Sequence, residues 1–113
     1  MVSPSVGSVV LVRFPFSDLS ASKLRPAVVL AGVDRDDWIL CQVTSNAYAD
    51  PCAVGISEMD FASGSLMRAS FARPGKLFSA NTSLMQRIVG ELTQAKLSAV
   101  VDAVIELIHP SAP

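Results

Sequence analysis

Apolar residues in this chain come in short β-branched runs cut by glycine and proline, until residue 93, where their spacing changes to that of a helix. The first run, Val9-Val10-Leu11-Val12-Arg13-Phe14, follows Gly7-Ser8 and stops at Pro15. β-Branched side chains crowd the turns of a helix but fit a pleated surface, so this run reads as a strand buried on most of its surface. Residues 16–24 are polar and rich in small residues around Ser17, Asp18, Ser20 and Ser22 and read as a surface loop. Arg25-Pro26 comes next; the proline forces an extended backbone at Arg25 and is tolerated at the head of a strand, here Ala27-Val28-Val29-Leu30. Residues 34–37, with three aspartates, mark a hairpin turn before the strand Trp38-Ile39-Leu40-Cys41-Gln42-Val43, which runs out at Thr44-Ser45-Asn46. Residues 53–56, 66–71, 76–78 after a Pro74-Gly75 turn, and 87–92 supply further short strands.

Beyond Thr93, residues Leu97, Val100, Val101, Val104, Ile105 and Ile108 follow the i, i+3, i+4, i+7 pattern of one helix face. Thr93 is placed to cap the helix and Pro110 to end it. The chain has 113 residues, half of them apolar, which is enough for one core. There is no repeat, low-complexity tract or linker, so residues 1–113 are expected to form a single mainly β domain, a small barrel closed by one C-terminal helix.

Composition removes several function classes. No apolar run approaches the roughly 18 to 20 residues needed to cross a bilayer, and the N-terminus lacks the pattern of a signal peptide, so a cytoplasmic protein is expected. Cys41 and Cys52 are then expected to stay reduced. With His109 they fall short of the roughly four ligands a tetrahedral metal site needs, and no acidic cluster replaces them, so neither metal nor cofactor is expected. A net charge of −1 argues against bulk electrostatic coating of nucleic acid. The distribution is more informative: Arg13, Lys23 and Arg25 share their stretch with only Asp18, and no acid lies between Arg68 and Arg87. Folded onto one face, these two stretches make a site for an anionic ligand; solvated surface charge is the other reading.

A single histidine excludes a ribonuclease using two imidazoles, and phosphate-loop, dinucleotide and serine-elbow motifs are missing. What remains is Arg25 at the start of one strand and Thr44-Ser45 at the end of the next. In an antiparallel pair those two points lie on the same rim, so a guanidinium and hydroxyls meet there. The residues alone leave open whether Arg25 merely pairs with a surface acid while Thr44 and Ser45 begin a loop.

In order along the chain, Gly7-Ser8-Val9-Val10-Leu11-Val12, Phe14-Pro15-Phe16-Ser17-Asp18-Leu19, Lys23-Leu24-Arg25-Pro26-Ala27-Val28-Val29-Leu30 and Val43-Thr44-Ser45 resemble the successive motifs of MazF/PemK-type toxins. Lys76-Leu77-Phe78, Ile88-Val89-Gly90-Glu91-Leu92 and the closing helix resemble the C-terminal half of one subgroup. Ser8 and Leu24 depart from the pattern, since many members carry an acid at the first position and some a polar residue or histidine at the second. The resemblance implies an SH3-like barrel of the CcdB/PemK-like toxin fold with a C-terminal α-helix, assembled as a homodimer. It also implies a metal-independent endoribonuclease of a type II toxin–antitoxin system, which cuts single-stranded RNA, often mRNA, inhibits growth and is held inactive by a cognate antitoxin.

On that resemblance Arg25 and Thr44 fall on catalytic positions, with Ser45 beside them. Attack by the ribose 2′-OH would leave 2′,3′-cyclic phosphate and 5′-OH ends, with Arg25 neutralising charge on the phosphoryl oxygens and the hydroxyls fixing the phosphate. Phe16 and Tyr48 are expected to stack on bases, Lys23, Arg73 and Lys76 to meet the RNA backbone, and Asn46 to read a base edge. The competing readings are a CcdB-type gyrase poison, with the same barrel and dimer, and a non-catalytic SH3-like binding module.

Overall fold

The computed structural model describes residues 2–15 and 22–111. They form one seven-stranded sheet, curled into a half-barrel, and one helix: β1 (Ser8–Pro15), β2 (Ser22–Asp34), β3 (Asp37–Thr44), β4 (Val54–Ile56), β5 (Phe61–Gly64), β6 (Ser70–Asn81), β7 (Met85–Leu92) and α1 (Gln94–Ile108). The strand order is β4-β6-β3-β2-β1-β7-β5, and every ladder is antiparallel. Two register shifts between β1 and β7, at Val9/Val10 and Leu11/Val12, add the local twist that curls the sheet.

The central strands bury both faces, which is why their sequences run apolar instead of alternating. One face carries Val9, Val28, Cys41, Val43, Ile56, Ala72 and Leu92, packed against Leu97 and Val100 of α1. The other carries Val10, Val12, Ala27, Val29, Leu40, Ala80 and Met85, with Trp38 and Phe78 at its margin. The helix is anchored as its sequence predicts: Thr93 Oγ1 accepts the Lys96 amide at 3.2 Å, and the chain ends its helical run at His109. Lys96 adds an ion pair with Asp60 at 3.7 Å. Among the described residues no helix is long and apolar enough to cross a membrane.

Three features differ from the sequence reading. Pro26 lies inside β2, not at its head, opposite Leu11 of β1; the ladder to β3 begins only at Ala27, so at Pro26 the strand needs pairing on one side alone. Pro74-Gly75 is not a turn between two strands. It lies in a wide bulge of a continuous β6, where the pairing with β3 steps from Val43↔Ala72 to Cys41↔Leu77 and residues 73–76 leave the ladder. The strand expected over residues 66–71 starts only at Ser70, and β5 forms instead at Phe61–Gly64, where few apolar residues announce it.

β5 reaches β7 because two glycines allow the backbones to touch. A Cβ on Gly90 would stand 2.6 Å from the Ser63 carbonyl oxygen, and one on Gly64, which has φ +71°, would collide with the Val89 carbonyl. Gly64→Ala combines a disfavoured dihedral with that collision and is expected to cost about 1–3 kcal/mol. The measurement is the urea unfolding midpoint; an unchanged midpoint would show that β5 contributes nothing to the cooperative fold.

Candidate active site

The ends of several elements meet at one rim of the half-barrel. Ala27 of β2 pairs with Gln42 of β3 as the last rung of that ladder, and Arg25 and Thr44 lie two residues beyond it on the two strands. Both line a depression of about 420 Å³ whose apolar floor includes Leu11, Pro26, Val43 and Leu66. Lys23, Ser45 and Tyr48 complete the part of its wall named from sequence. Arg25 is half-buried, its Nε fully withdrawn from solvent, whereas Lys23 and Ser45 are exposed. Thr44 is only 6% exposed, and its Oγ1 accepts the Asn46 amide at 3.2 Å. A hydroxyl that accepts through a lone pair still has its hydrogen to donate, so Thr44 is poised as a donor.

Arg68 and Ser70 line the same depression and were not singled out from sequence. The only sign of Arg68 was its place in the acid-free stretch 68–87. Its loop is pinned locally: Met67 has φ +65° and donates its amide to Ser65 Oγ at 2.8 Å, and Ser70 Oγ donates to the Arg68 carbonyl at 3.3 Å. The lining therefore joins Lys23, Arg25 and Arg68 to hydroxyls, and among the described residues no carboxylate, imidazole or thiol lines it. Such a concave cationic surface attracts an anion and is the wrong donor set for a divalent cation.

The other residues named from sequence lie elsewhere. Asn46 is outside the lining and accepts the Tyr48 amide on Oδ1 at 2.9 Å. Arg73 stands behind Tyr48, paired with Asp50 at 3.0 Å. Lys76 lines a separate depression of about 340 Å³ with Arg13, Gln42 and Phe78. Phe16 lies outside the described residues.

The sequence profile of the PemK-like, MazF-like toxins of type II toxin–antitoxin systems matches residues 5–108. The chain belongs to this family. Solved structures show the same fold at low identity. One is the MazE–MazF complex of Deinococcus radiodurans, with a TM-score of 0.74 and 22% identity over 96% of this chain and 97% of that one. Another is an endoribonuclease in complex with its cognate antitoxin from a mycobacterial species, with a TM-score of 0.74 and 14% identity over 98% and 100% of the two chains. The Mycobacterium tuberculosis toxin MazF-mt6 gives 0.70 and 11% over 93% and 99%. No curated protein is significantly similar to the chain.

In this MazF-like toxin the departure at Ser8 has a structural use. Ser8 is fully buried and donates to Glu91 Oε2 at 2.6 Å, while Ser5 donates to Oε1 at 3.0 Å, tying the N-terminal segment to β7. Both cysteines of the toxin are free. Burial pushes the Cys41 thiol up to about 12, so it stays protonated and inert, whereas Cys52 is exposed.

Proposed function

We propose that this toxin is an endoribonuclease that cuts single-stranded RNA, mRNA included, by transesterification without a metal ion. The observation that carries this reading is the joint lining of one cationic groove by Arg25 and Thr44. In the reaction the ribose 2′-oxygen bonds to phosphorus, the 2′-proton is lost, and the bond to the 5′-oxygen breaks as that oxygen takes up a proton. The products are a 2′,3′-cyclic phosphate and a 5′-OH. Arg25 neutralises the charge growing on the phosphoryl oxygens, because its planar fork meets two of them and stays charged. Thr44 donates a hydrogen bond to the same phosphate, with Ser45 beside it, and Arg68 adds a second fixed charge. The contribution of these side chains is electrostatic and positional: fixed cations and hydroxyl donors aimed at the phosphate where its charge grows.

An unpaired strand is the fitting substrate, because a base-paired A-form duplex holds its bases and 2′-hydroxyls in a fixed stack. Tyr48 supplies a stacking surface and Lys23 a backbone contact; Lys76, in the neighbouring depression, is assigned to flanking phosphates. The toxin works as a homodimer in the cytoplasm, where it inhibits growth until a cognate antitoxin covers the groove. The complexes solved for a Deinococcus MazF and a mycobacterial endoribonuclease support the antitoxin.

The test incubates purified toxin with unstructured RNA in excess EDTA, followed by mass analysis of the fragments and a parallel DNA gyrase assay. Cleavage that persists in EDTA, with cyclic phosphate ends, is expected. Uncut RNA with inhibited gyrase would replace the nuclease with a gyrase poison, and cleavage abolished by EDTA would remove the metal-free mechanism.

A further inference from the structure

Resting on the ribonuclease reading, the geometry points to Asp50 and Arg73 as positioning residues that hold the Tyr48 ring as a stacking platform for one unpaired base beside Arg25 and Thr44. The arrangement begins in the bulge of β6. Residues 73–76 bulge out of the ladder, and there the Arg73 carbonyl accepts the Cys41 thiol at 3.2 Å, which ties the bulge to β3. The Arg73 side chain then reaches Asp50, 23 residues earlier: Nε donates to Oδ2 at 3.0 Å, with the two side chains only 20% and 14% exposed. Asp50 Oδ1 accepts the Cys52 amide at 2.9 Å, so the carboxylate is held from both sides. The guanidinium carbon of Arg73 stands 5.5 Å from the centre of the Tyr48 ring, within the range in which a cation and an aromatic ring attract.

The loop that carries Tyr48 is tied at its other end to the groove's own hydroxyl. Thr44 Oγ1 accepts the Asn46 amide, and Asn46 Oδ1 accepts the Tyr48 amide. Tyr48 and Ala49 both hold left-handed dihedrals, φ +54° and +57°, which non-glycine residues adopt in succession only when neighbours impose them. Tyr48 is nevertheless 61% exposed and lines the groove. A large ring held in a disfavoured backbone conformation, backed by a partly buried ion pair and left open to solvent, is a surface prepared for a flat partner. The chemistry of the groove makes that partner a nucleobase next to the reacting phosphate. Arg73 thus acts beneath the ring, its charge matched by Asp50, while the phosphate contacts within the groove fall to Lys23, Arg25 and Arg68.

The test uses a short single-stranded 2′-O-methyl oligonucleotide, which cannot be cut, with 2-aminopurine placed at each position in turn, alongside steady-state kinetics on the matching RNA. The wild-type toxin is expected to quench 2-aminopurine strongly at one position. Tyr48→Ala removes that quench and raises KM about tenfold or more, with the smaller effect on kcat, while Tyr48→Phe, which keeps the ring, retains the quench. Asp50→Asn and Arg73→Lys lose most of the quench although Tyr48 is present; if Arg73→Lys also lowers Tm, Asp50→Asn alone decides. Wild-type quenching in Asp50→Asn at unchanged Tm overturns the positioning role, and so does loss of the quench in Tyr48→Phe. RNA cleavage without a quench at any position overturns the platform and leaves the nuclease standing. A quench with the expected variant pattern but no RNA cleavage leaves the platform and removes the nuclease; a wild-type toxin that neither binds nor cuts overturns both.

Discussion

Arg25→Ala lowers kcat on single-stranded RNA by about two to three orders of magnitude, the usual cost of removing one preorganised donor from a charged transition state. The charge on the phosphoryl oxygens grows as the 2′-oxygen bonds to phosphorus, and Arg25 is a cation that lines the same groove as Thr44. Its half-buried position keeps water from screening the contact, so distant lysines do not substitute for it. Arg25→Lys keeps the charge and loses the two-pronged fork, and is expected to fall between the alanine variant and the wild type. Single-turnover cleavage with saturating toxin isolates this effect from binding. Equal rates for all three proteins would place the chemistry elsewhere in the groove, with Arg68 the next cation to remove.

Leu40→Ala has the largest expected effect on stability. Leu40 is fully buried among Val10, Val12, Ala27 and Val29, on the sheet face that α1 does not cover. Deleting a buried leucine leaves a cavity and costs about 2–5 kcal/mol. A domain of this size is typically stable by about 5–15 kcal/mol, so the loss is a large part of the whole. Thermal unfolding is expected to move down by roughly 10–25 °C. Leu40→Met, which conserves volume, is expected to cost less than about 1.5 kcal/mol. A small shift for the alanine variant would mean that this face is loosely packed and that the α1 side carries the fold. The two variants separate cleanly in character: Arg25→Ala lowers the rate at nearly unchanged Tm, and Leu40→Ala lowers Tm at a rate that, well below melting, stays close to the wild type.

These effects also mark how far the sequence could be read. β1, β3 and α1 were legible because their burial leaves a pattern in the chain: apolar, β-branched-rich runs mark strands covered on most of both faces, and the residues of α1 recur at helical spacing. Thr93 as the cap was legible because capping is settled within one helical turn. That Arg25 and Thr44 lie on one rim followed from antiparallel pairing across a tight turn, which needs no knowledge of the rest of the fold. β5 was not legible, since Phe61-Ala62-Ser63-Gly64 has little apolar content and forms by the close approach of Gly64 to Gly90.

By itself, then, the amino-acid order determined the mainly β architecture, the closing helix and the rim that carries both Arg25 and Thr44, because periodicity, turns and caps act over a few residues. Only the tertiary structure decided that Pro74-Gly75 lies within a bulge and not a turn, that Arg73 is drawn to Asp50 and the Tyr48 ring, and that Arg68 lines the groove. Each of those depends on where chain segments far apart in sequence come to lie against one another. A bulge and an ion pair across 23 residues leave no local trace, because their free energy comes from partners that folding alone brings within reach.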